Sequence, residues 1–203
     1  MSRRSIAFLL ALAVCGCNRA AGPARSAATA TETEKAGARK EISQLLASNL
    51  PFTFDFNLND IAGQKLSKSD MAGHVLIVDI WGTWCPPCRM EIPHFVDLNN
   101  RYGDKGLRIV GLNRERSDNI EENTKLVQEF CRKEGVNYPC ALITKDVMSQ
   151  VPDFEGFPTT LFFDRTGQVR LKLVGAYDAV VLEAAVESLL NEQPADEGEK
   201  TVG

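Results

Sequence analysis

Apolar and polar positions follow two periods along this chain, one typical of strands and one typical of helices. Phe52, Phe54 and Phe56 are separated by polar residues, which predicts a half-exposed strand. Val75–Trp81 is almost continuously apolar, as expected of a central strand that is buried on both faces. Glu121–Glu134 has its apolar residues at helical spacing. This alternation of strands and helices predicts an α/β domain.

The other elements continue the alternation. The pattern predicts strands at Leu107–Leu112, Cys140–Ile143, Leu161–Phe163 and Val169–Val174, and helices at Glu41–Ser48, from about Cys85 to Tyr102, and at Ala179–Leu190. Asp164–Gly167 reads as a four-residue hairpin loop between the last two strands. The chain is therefore expected to hold one domain over residues 41–190, followed by a disordered acidic tail at 191–203.

Composition narrows the classes of function. The 203 residues are 44% hydrophobic, enough for a core, and 23 basic residues against 27 acidic ones give a net charge of −4. This balance argues against a nucleic-acid partner, which would require a basic patch or stripe. Six cysteines are too few for a disulfide scaffold. They fall into three close pairs: Cys15 and Cys17, Cys85 and Cys88, and Cys131 and Cys140.

The first pair ends a segment that has the pattern of an export signal. Two arginines precede the apolar run Ile6–Val14, which is too short to span a membrane. Gly16 followed by Cys17 resembles a bacterial lipobox, so we expect a lipoprotein signal peptide at 1–16 and lipidation of Cys17. A simple cleaved signal peptide, which would release a soluble form, is the alternative. Residues 17–40 are small or polar, which predicts a flexible tether.

The second pair carries the chemistry. Cys85-Pro86-Pro87-Cys88 follows the buried strand and opens a helix, the position of a redox-active dithiol. The helix N-terminus stabilises a thiolate at Cys85, which makes Cys85 the attacking nucleophile and Cys88 the resolving thiol. A structural zinc site would need four ligands, and the sequence has no second Cys-x-x-Cys motif. No metal and no other cofactor is expected.

The segment Val78–Cys88 resembles the active site of the thioredoxin superfamily and, more narrowly, of its membrane-tethered TlpA/ResA-like branch. The likeness covers about residues 50–190 and includes Gly156-Phe157-Pro158-Thr159. It implies a thioredoxin-like fold, in which helices flank a central mixed sheet, with an extra N-terminal β-hairpin from Phe52 to Leu66. It also implies that Pro158 is cis and lies against the reactive disulfide.

The resemblance gives roles to further residues. Asp79 matches the buried acid of thioredoxins, whose raised pKa allows it to accept the proton of Cys88. Glu91 matches the acid of the ResA-like branch and lies one helical turn after Cys88; a solvated helix glutamate is the alternative. Residues expected to dock the substrate are Trp84, Pro86, Pro87, Phe157 and Thr159.

The third pair has two interpretations. Cys131 and Cys140 are separated by nine positions, and a structural disulfide is slightly favoured over two buried free thiols. Spacing alone does not decide, because a disulfide needs Cα atoms within about 7 Å. A second redox relay is not expected, since these positions match no motif of the family.

Together these features imply a thiol–disulfide oxidoreductase of the bacterial cell envelope, anchored by lipid and facing the periplasm or the outside. The resemblance implies that it reduces disulfides of exported proteins, as in cytochrome c maturation, and that a membrane electron donor recharges it. The alternatives are a non-catalytic envelope binding module with a structural Cys85–Cys88 disulfide, and a peroxiredoxin-like peroxidase. A copper module of the Sco type would need three residues between the cysteines.

Overall fold

A computed structural model of the chain describes residues 30–46 and 50–192. Five α-helices lie in this part of the chain: α1 (Glu32–Leu46), α2 (Pro86–Tyr102), α3 (Ile120–Glu134), α4 (Lys145–Met148) and α5 (Ala179–Asn191). The strands are β1 (Asn57–Asn59), β2 (Lys65–Ser67), β3 (Val75–Trp81), β4 (Leu107–Asn113), β5 (Cys140–Leu142), β6 (Thr159–Phe163) and β7 (Val169–Val174). The predicted signal peptide, the lipidation site at Cys17 and residues 193–203 lie outside the described ranges.

The main sheet has five strands in the order β5-β4-β3-β6-β7. β3, β4 and β5 are parallel, because α2 and α3 carry the chain back between them, whereas β6 and β7 form an antiparallel hairpin. β6 pairs antiparallel with β3, which makes the sheet mixed. The fold is therefore α/β with a central mixed sheet, and β1 and β2 form the separate N-terminal hairpin that the family resemblance implied.

Strand alternation divides the core into two layers. Val75, Ile77 and Trp81 of β3 face a layer formed with α1, α2, α3 and α5. Val78 and Ile80 face the opposite layer, which the β1–β2 hairpin, α4 and the segment before β1 cover. All seven residues of β3 are buried, as the apolar run predicted. Any polar side chain on β3 is consequently held away from solvent.

Helix α1 begins earlier than predicted. We expected a helix over Glu41–Ser48 after a flexible tether, but residues 32–40 are helical as well. The reason is tertiary: Ala38, Ile42 and Leu46 are buried in the layer that also contains α5, and Arg39 forms an ion pair with Glu187 on that helix. Packing against α5 thus stabilises a helix that the sequence pattern alone favoured only weakly.

The alternating phenylalanines before β1 are not a strand. Phe54 and Phe56 are buried beneath the sheet, as their spacing implied, but residues 51–56 belong to no strand, and β1 starts only at Asn57. The backbone is held by other contacts: the Gln150 side chain accepts from the Asp55 N–H at 2.8 Å, and the Lys68 N–H donates to the Phe56 carbonyl. The alternation therefore reports burial of one side rather than sheet pairing.

Candidate active site

Cys85 and Cys88 form a disulfide at the point where β3 passes into α2. Their sulfurs are 2.05 Å apart and their Cα atoms 5.3 Å apart. Cys85 is the N-cap residue of α2, and Pro86 and Pro87 occupy its first turn. Proline suits this position because the first helical N–H groups have no partner within the helix. The local sequence therefore both starts the helix and places the two sulfurs together.

The helix start directs a hydrogen-bond donor at Cys85. The Cys88 N–H donates to the Cys85 sulfur at 3.3 Å, and neither Pro86 nor Pro87 has an N–H to add. In the reduced protein this donor and the positive end of α2 both favour a thiolate at Cys85. In the disulfide state both cysteines are buried, with 2% of the surface of Cys85 and 1% of that of Cys88 exposed. A partner must therefore lie directly on the surface around them.

Two carboxyl groups are buried on β3 and α2, the two elements that meet at the disulfide. Asp79 is on the α2-facing side of β3, and Glu91 is on α2, one turn after Cys88. Asp79 Oδ1 and Glu91 Oε2 have no hydrogen-bond partner among the described residues, while Glu91 Oε1 accepts from the Tyr177 N–H at 3.1 Å. The alternative of a solvated Glu91 is wrong, because only 1% of this residue is exposed.

Burial sets the proton affinity of both carboxyls. It raises the pKa of Asp79 well above its ordinary value, and the charge of Glu91 raises it further. Burial also raises the pKa of Glu91 to about 8, against a smaller opposing effect of the Tyr177 hydrogen bond. Near neutral pH the pair thus holds at least one proton.

The Gly156–Thr159 segment contacts the redox motif through Trp84. The Phe157–Pro158 peptide bond is cis, as the family resemblance implied. The Phe157 ring meets the Trp84 ring edge-to-face, with centroids 5.2 Å apart. Phe157 in turn contacts Phe154, with centroids 5.1 Å apart. Because Trp84 precedes Cys85, these aromatic rings connect the segment with the redox motif.

The residues expected to dock a substrate differ in exposure. Pro86 and Pro87 are exposed, and Trp84 and Phe157 are half-buried, so all four present surface around the disulfide. Thr159 does not: it is buried, and its hydroxyl donates to the Gly156 carbonyl at 2.6 Å. Thr159 therefore braces the segment around Pro158 instead of forming part of the exposed surface.

The loop after β4 forms hydrogen bonds with Thr83 and Trp84, the two residues before Cys85, and our sequence interpretation did not predict these contacts. Glu115 is buried, and its carboxylate accepts from the Thr83 N–H at 2.9 Å and from the Thr83 hydroxyl at 3.0 Å. The Trp84 indole N–H donates to the Arg114 carbonyl at 2.9 Å. Gly82 is required for this approach, because a Cβ there would lie 2.6 Å from the indole nitrogen. The sequence did contain a signal for this role: Glu115 is a charged residue just after the buried parallel strand β4, whose end lies beside the end of β3.

The third cysteine pair is free in the structure, in contrast to the disulfide that we favoured. Cys131 on α3 and Cys140 at the start of β5 are both buried thiols. The Cys140 thiol donates to the Tyr138 carbonyl at 3.8 Å, and its sulfur occupies the space left by the absent side chain of Gly111. The pair behaves as small core residues.

Metal ligands are not clustered in this region. Within residues 30–46 and 50–192, no group of three or more His, Cys, Asp or Glu side chains is arranged to hold a metal ion.

In the same ranges, no helix has the length and apolar content that crossing a membrane demands.

Comparisons with known proteins agree with this geometry. Residues 52–172 match the AhpC/TSA family. The chain is 28% identical over 135 residues to the thiol-disulfide oxidoreductase ResA of Geobacillus kaustophilus, which covers 66% of this chain and 74% of the relative. It is also 28% identical over 137 residues to ResA of Bacillus subtilis, over 68% of this chain and 71% of the relative.

Solved structures show the same architecture. A putative thiol:disulfide interchange protein DsbE from Chlorobium tepidum superposes with a TM-score of 0.62 at 27% identity, covering 70% of this chain and 98% of that one. StoA from Bacillus subtilis shares the fold with a TM-score of 0.53 at 23% identity, covering 67% and 97%. The sheet order, the Cys85–Cys88 disulfide and these matches lead to one assignment: the chain belongs to the AhpC/TSA family and is a thioredoxin-like thiol–disulfide oxidoreductase.

Proposed function

We propose that the protein is a lipid-anchored reductant of the bacterial cell envelope that reduces disulfides of exported proteins, of the kind used in cytochrome c maturation. One observation carries the proposal most directly: the Cys85–Cys88 pair stands at the N-terminus of α2, and the carboxyls of Asp79 and Glu91, on the two elements that meet there, are buried with no ion pair among the described residues. This arrangement serves a thiol that must gain and lose a proton while a partner is bound. The relatives named ResA and DsbE support the same direction.

The first step is nucleophilic. The Cys85 thiolate attacks one sulfur of the substrate disulfide, which forms a mixed disulfide and releases the other substrate sulfur as a thiolate. The Cys88 N–H that points at the Cys85 sulfur, together with the end of α2, stabilises the attacking thiolate. The exposed faces of Trp84, Pro86 and Phe157 are the surface on which the substrate backbone rests.

The second step needs a base. Cys88 transfers its proton to the Asp79 carboxylate and attacks the Cys85 sulfur, which closes the Cys85–Cys88 disulfide and releases the second substrate thiolate. The negative charge of Glu91 raises the pKa of Asp79 further, which makes Asp79 a stronger base for this proton. A dithiol donor at the membrane then returns two electrons and two protons to the pair.

Trapping of the mixed disulfide tests the function. The Cys88→Ala variant, expressed as the full chain in its host, cannot resolve the intermediate and is expected to accumulate mixed disulfides on Cys85. Mass spectrometry of the trapped species names the partners. The Cys85→Ala/Cys88→Ala double variant is the control and must trap none. A Cys88→Ala protein that captures no exported protein contradicts the proposed role.

The lipid anchor is tested separately. Metabolic labelling with a radioactive fatty acid is expected to mark the wild-type chain and the Cys15→Ala variant, while Cys17→Ala loses the label. Cys15 is a matched control because it lies two positions away in the same segment. Equal labelling of all three chains, or none at all, rules out Cys17 as the lipidation site.

The direction of electron flow follows from the motif. Pro86 and Pro87 add no N–H donor and no histidine lies between the cysteines, so the reduced form has little extra stabilisation. We expect a reduction potential nearer to thioredoxin, at about −270 mV, than to DsbA, at about −120 mV. Equilibration with dithiothreitol measures it, and a value above about −180 mV, that of protein disulfide isomerase, contradicts a reductant.

Two other functions make different predictions. A binding module with a structural disulfide would keep the Cys85–Cys88 bond at potentials where thioredoxin is reduced. A peroxidase would consume hydroperoxide at a lone cysteine three residues after a threonine, whereas Thr83 lies two residues before Cys85. The buried Asp79–Glu91 pair favours the reductase over both.

A further inference from the structure

We propose that Arg116, assisted by Arg89, makes the reductase prefer substrate disulfides that are flanked by acidic side chains. This inference rests on the proposed function, in that it describes which polypeptide docks on the surface around Cys85. It concerns the charge of the substrate next to the attacked sulfur.

Arg116 is held beside the redox motif by its contact with Trp84. Its guanidinium lies 4.6 Å from the centre of the Trp84 ring, and the residue is exposed. Trp84 is itself fixed, because its indole N–H donates to the Arg114 carbonyl and its ring packs against Phe157. A positive charge therefore stands at a defined place on the surface where a substrate must rest.

The acidic groups near Arg116 are already engaged elsewhere. Glu115 is buried and accepts hydrogen bonds from Thr83 and from the Asn113 amide. Asp118 lies 3.4 Å from the Arg114 guanidinium. Within the described residues Arg116 forms no ion pair, so its charge is available to a bound partner.

Arg89 adds a second exposed positive charge next to the redox motif along the chain. Its N–H donates to the Cys85 carbonyl, which places it one turn into α2, and its guanidinium lies 5.7 Å from the Phe130 ring. It is exposed and has no ion pair among the described residues. Asp153 and Glu155 are exposed acids in the segment before Phe157. The chain carries −4 overall, so Arg116 and Arg89 are exposed positive charges close to the redox motif of a negatively charged protein.

Charge complementarity then selects the substrate. An acidic side chain close to the attacked cysteine would meet Arg116 at the rim of the docking surface, where exposed ion pairs are weak but add to the rate of encounter. Such a contribution corresponds to about a two- to fivefold preference. It has to decrease at high ionic strength, because salt screens exposed charges.

Three peptides test the inference. Each contains the same disulfide loop, flanked by glutamates, by glutamines or by lysines, and the pre-reduced full chain reduces them in single-turnover reactions at low and at high salt. The wild type is expected to reduce the glutamate peptide about two- to fivefold faster than the glutamine peptide, and the lysine peptide most slowly. Arg116→Gln removes most of this difference, and Arg116→Lys keeps most of it.

Lys105→Gln is the matched control, because Lys105 is also exposed and lies 4.8 Å from a ring, that of Tyr102, at the opposite end of α2. It must keep the wild-type preference. Equal slowing of all three peptides in Arg116→Gln would mean that Arg116 only supports Trp84 or Cys85, and overturns the inference. Equal wild-type rates for the three peptides also overturn it. Failure to reduce even the glutamine peptide contradicts the proposed function instead.

Discussion

Two pairs of carboxyl groups in this molecule have opposite surroundings. In the part of the chain that the structure describes, Asp79 and Glu91 are buried without an ion pair, and each has an oxygen that lacks a hydrogen-bond partner. Glu183 and Glu187, on α5, are instead partnered by groups on α2 and α1. Arg101 forms an ion pair with Glu183, and Arg39 forms one with Glu187.

The difference in surroundings sets the difference in role. Burial alone would raise the pKa of Glu183, but hydrogen bonds from Tyr102 and Arg101 outweigh it and lower that pKa. The Tyr102 hydroxyl lies 2.6 Å from Glu183 Oε1 and 2.9 Å from Glu187 Oε1. This cluster joins α1, α2 and α5. The Asp79–Glu91 pair is instead where the proposed mechanism places the transfer of the Cys88 proton.

The largest expected effect comes from removing the base. Asp79→Asn should slow the resolution of the mixed disulfide by about 100-fold, because an amide cannot accept the Cys88 proton. Rapid quenching of single-turnover reactions measures the lifetime of the mixed disulfide. Glu183→Gln is the control from the other pair and should leave this lifetime unchanged. An equal effect of both substitutions would erase the distinction between the two pairs.

A smaller effect concerns stability against pH. The pKa of Glu91 is about 8 in the folded protein, against an ordinary value of 4.5, so the folded state binds more protons between these values. The free energy of unfolding should therefore fall as pH rises from 4.5 to 8, by at most about 1.4 kcal/mol per pH unit for this group. Glu91→Gln should reduce this decline in urea titrations at pH 5 to 8.

Glu183→Gln is the control for that experiment, because folding shifts the pKa of Glu183 in the opposite direction to that of Glu91. Because the pKa of Glu183 is lowered by folding, its stabilising contribution is present above its ordinary pKa and is lost as pH falls through the folded value. Glu183→Gln should leave the slope between pH 5 and 8 as in the wild type. A Glu91→Gln protein with an unchanged slope would show that Glu91 is ionised over this range.

The smallest effect is expected at Tyr102. Tyr102→Phe removes one hydroxyl from the α2–α5 contact and should cost about 1 kcal/mol of stability, the usual contribution of a hydrogen bond. Thermal unfolding measures the loss. The rate of disulfide reduction should not change, since this cluster lies at the far end of α2 from Cys85. A slower reaction would indicate that the two regions are coupled.

Local patterns predicted most of the elements that surround the site. The apolar run of β3 and the proline-rich start of α2 are short-range signals, and the boundaries of β3 agree with the prediction. The start of α1 was predicted nine residues too late because its stability depends on α5, which lies far along the chain. The Phe52–Phe56 alternation misled for a similar reason: it reports which side is buried, and not whether a neighbouring strand exists.

The sequence by itself determined the redox motif, the position of Asp79 on a buried strand and, through the family resemblance, the cis bond before Pro158. Only the tertiary structure decided that Glu115 holds Thr83 and that Arg116 stacks on Trp84. The physical reason is distance along the chain. A hydrogen bond or ring contact between residues about thirty positions apart leaves no periodic signal, and it exists only after the parallel strands bring their ends together.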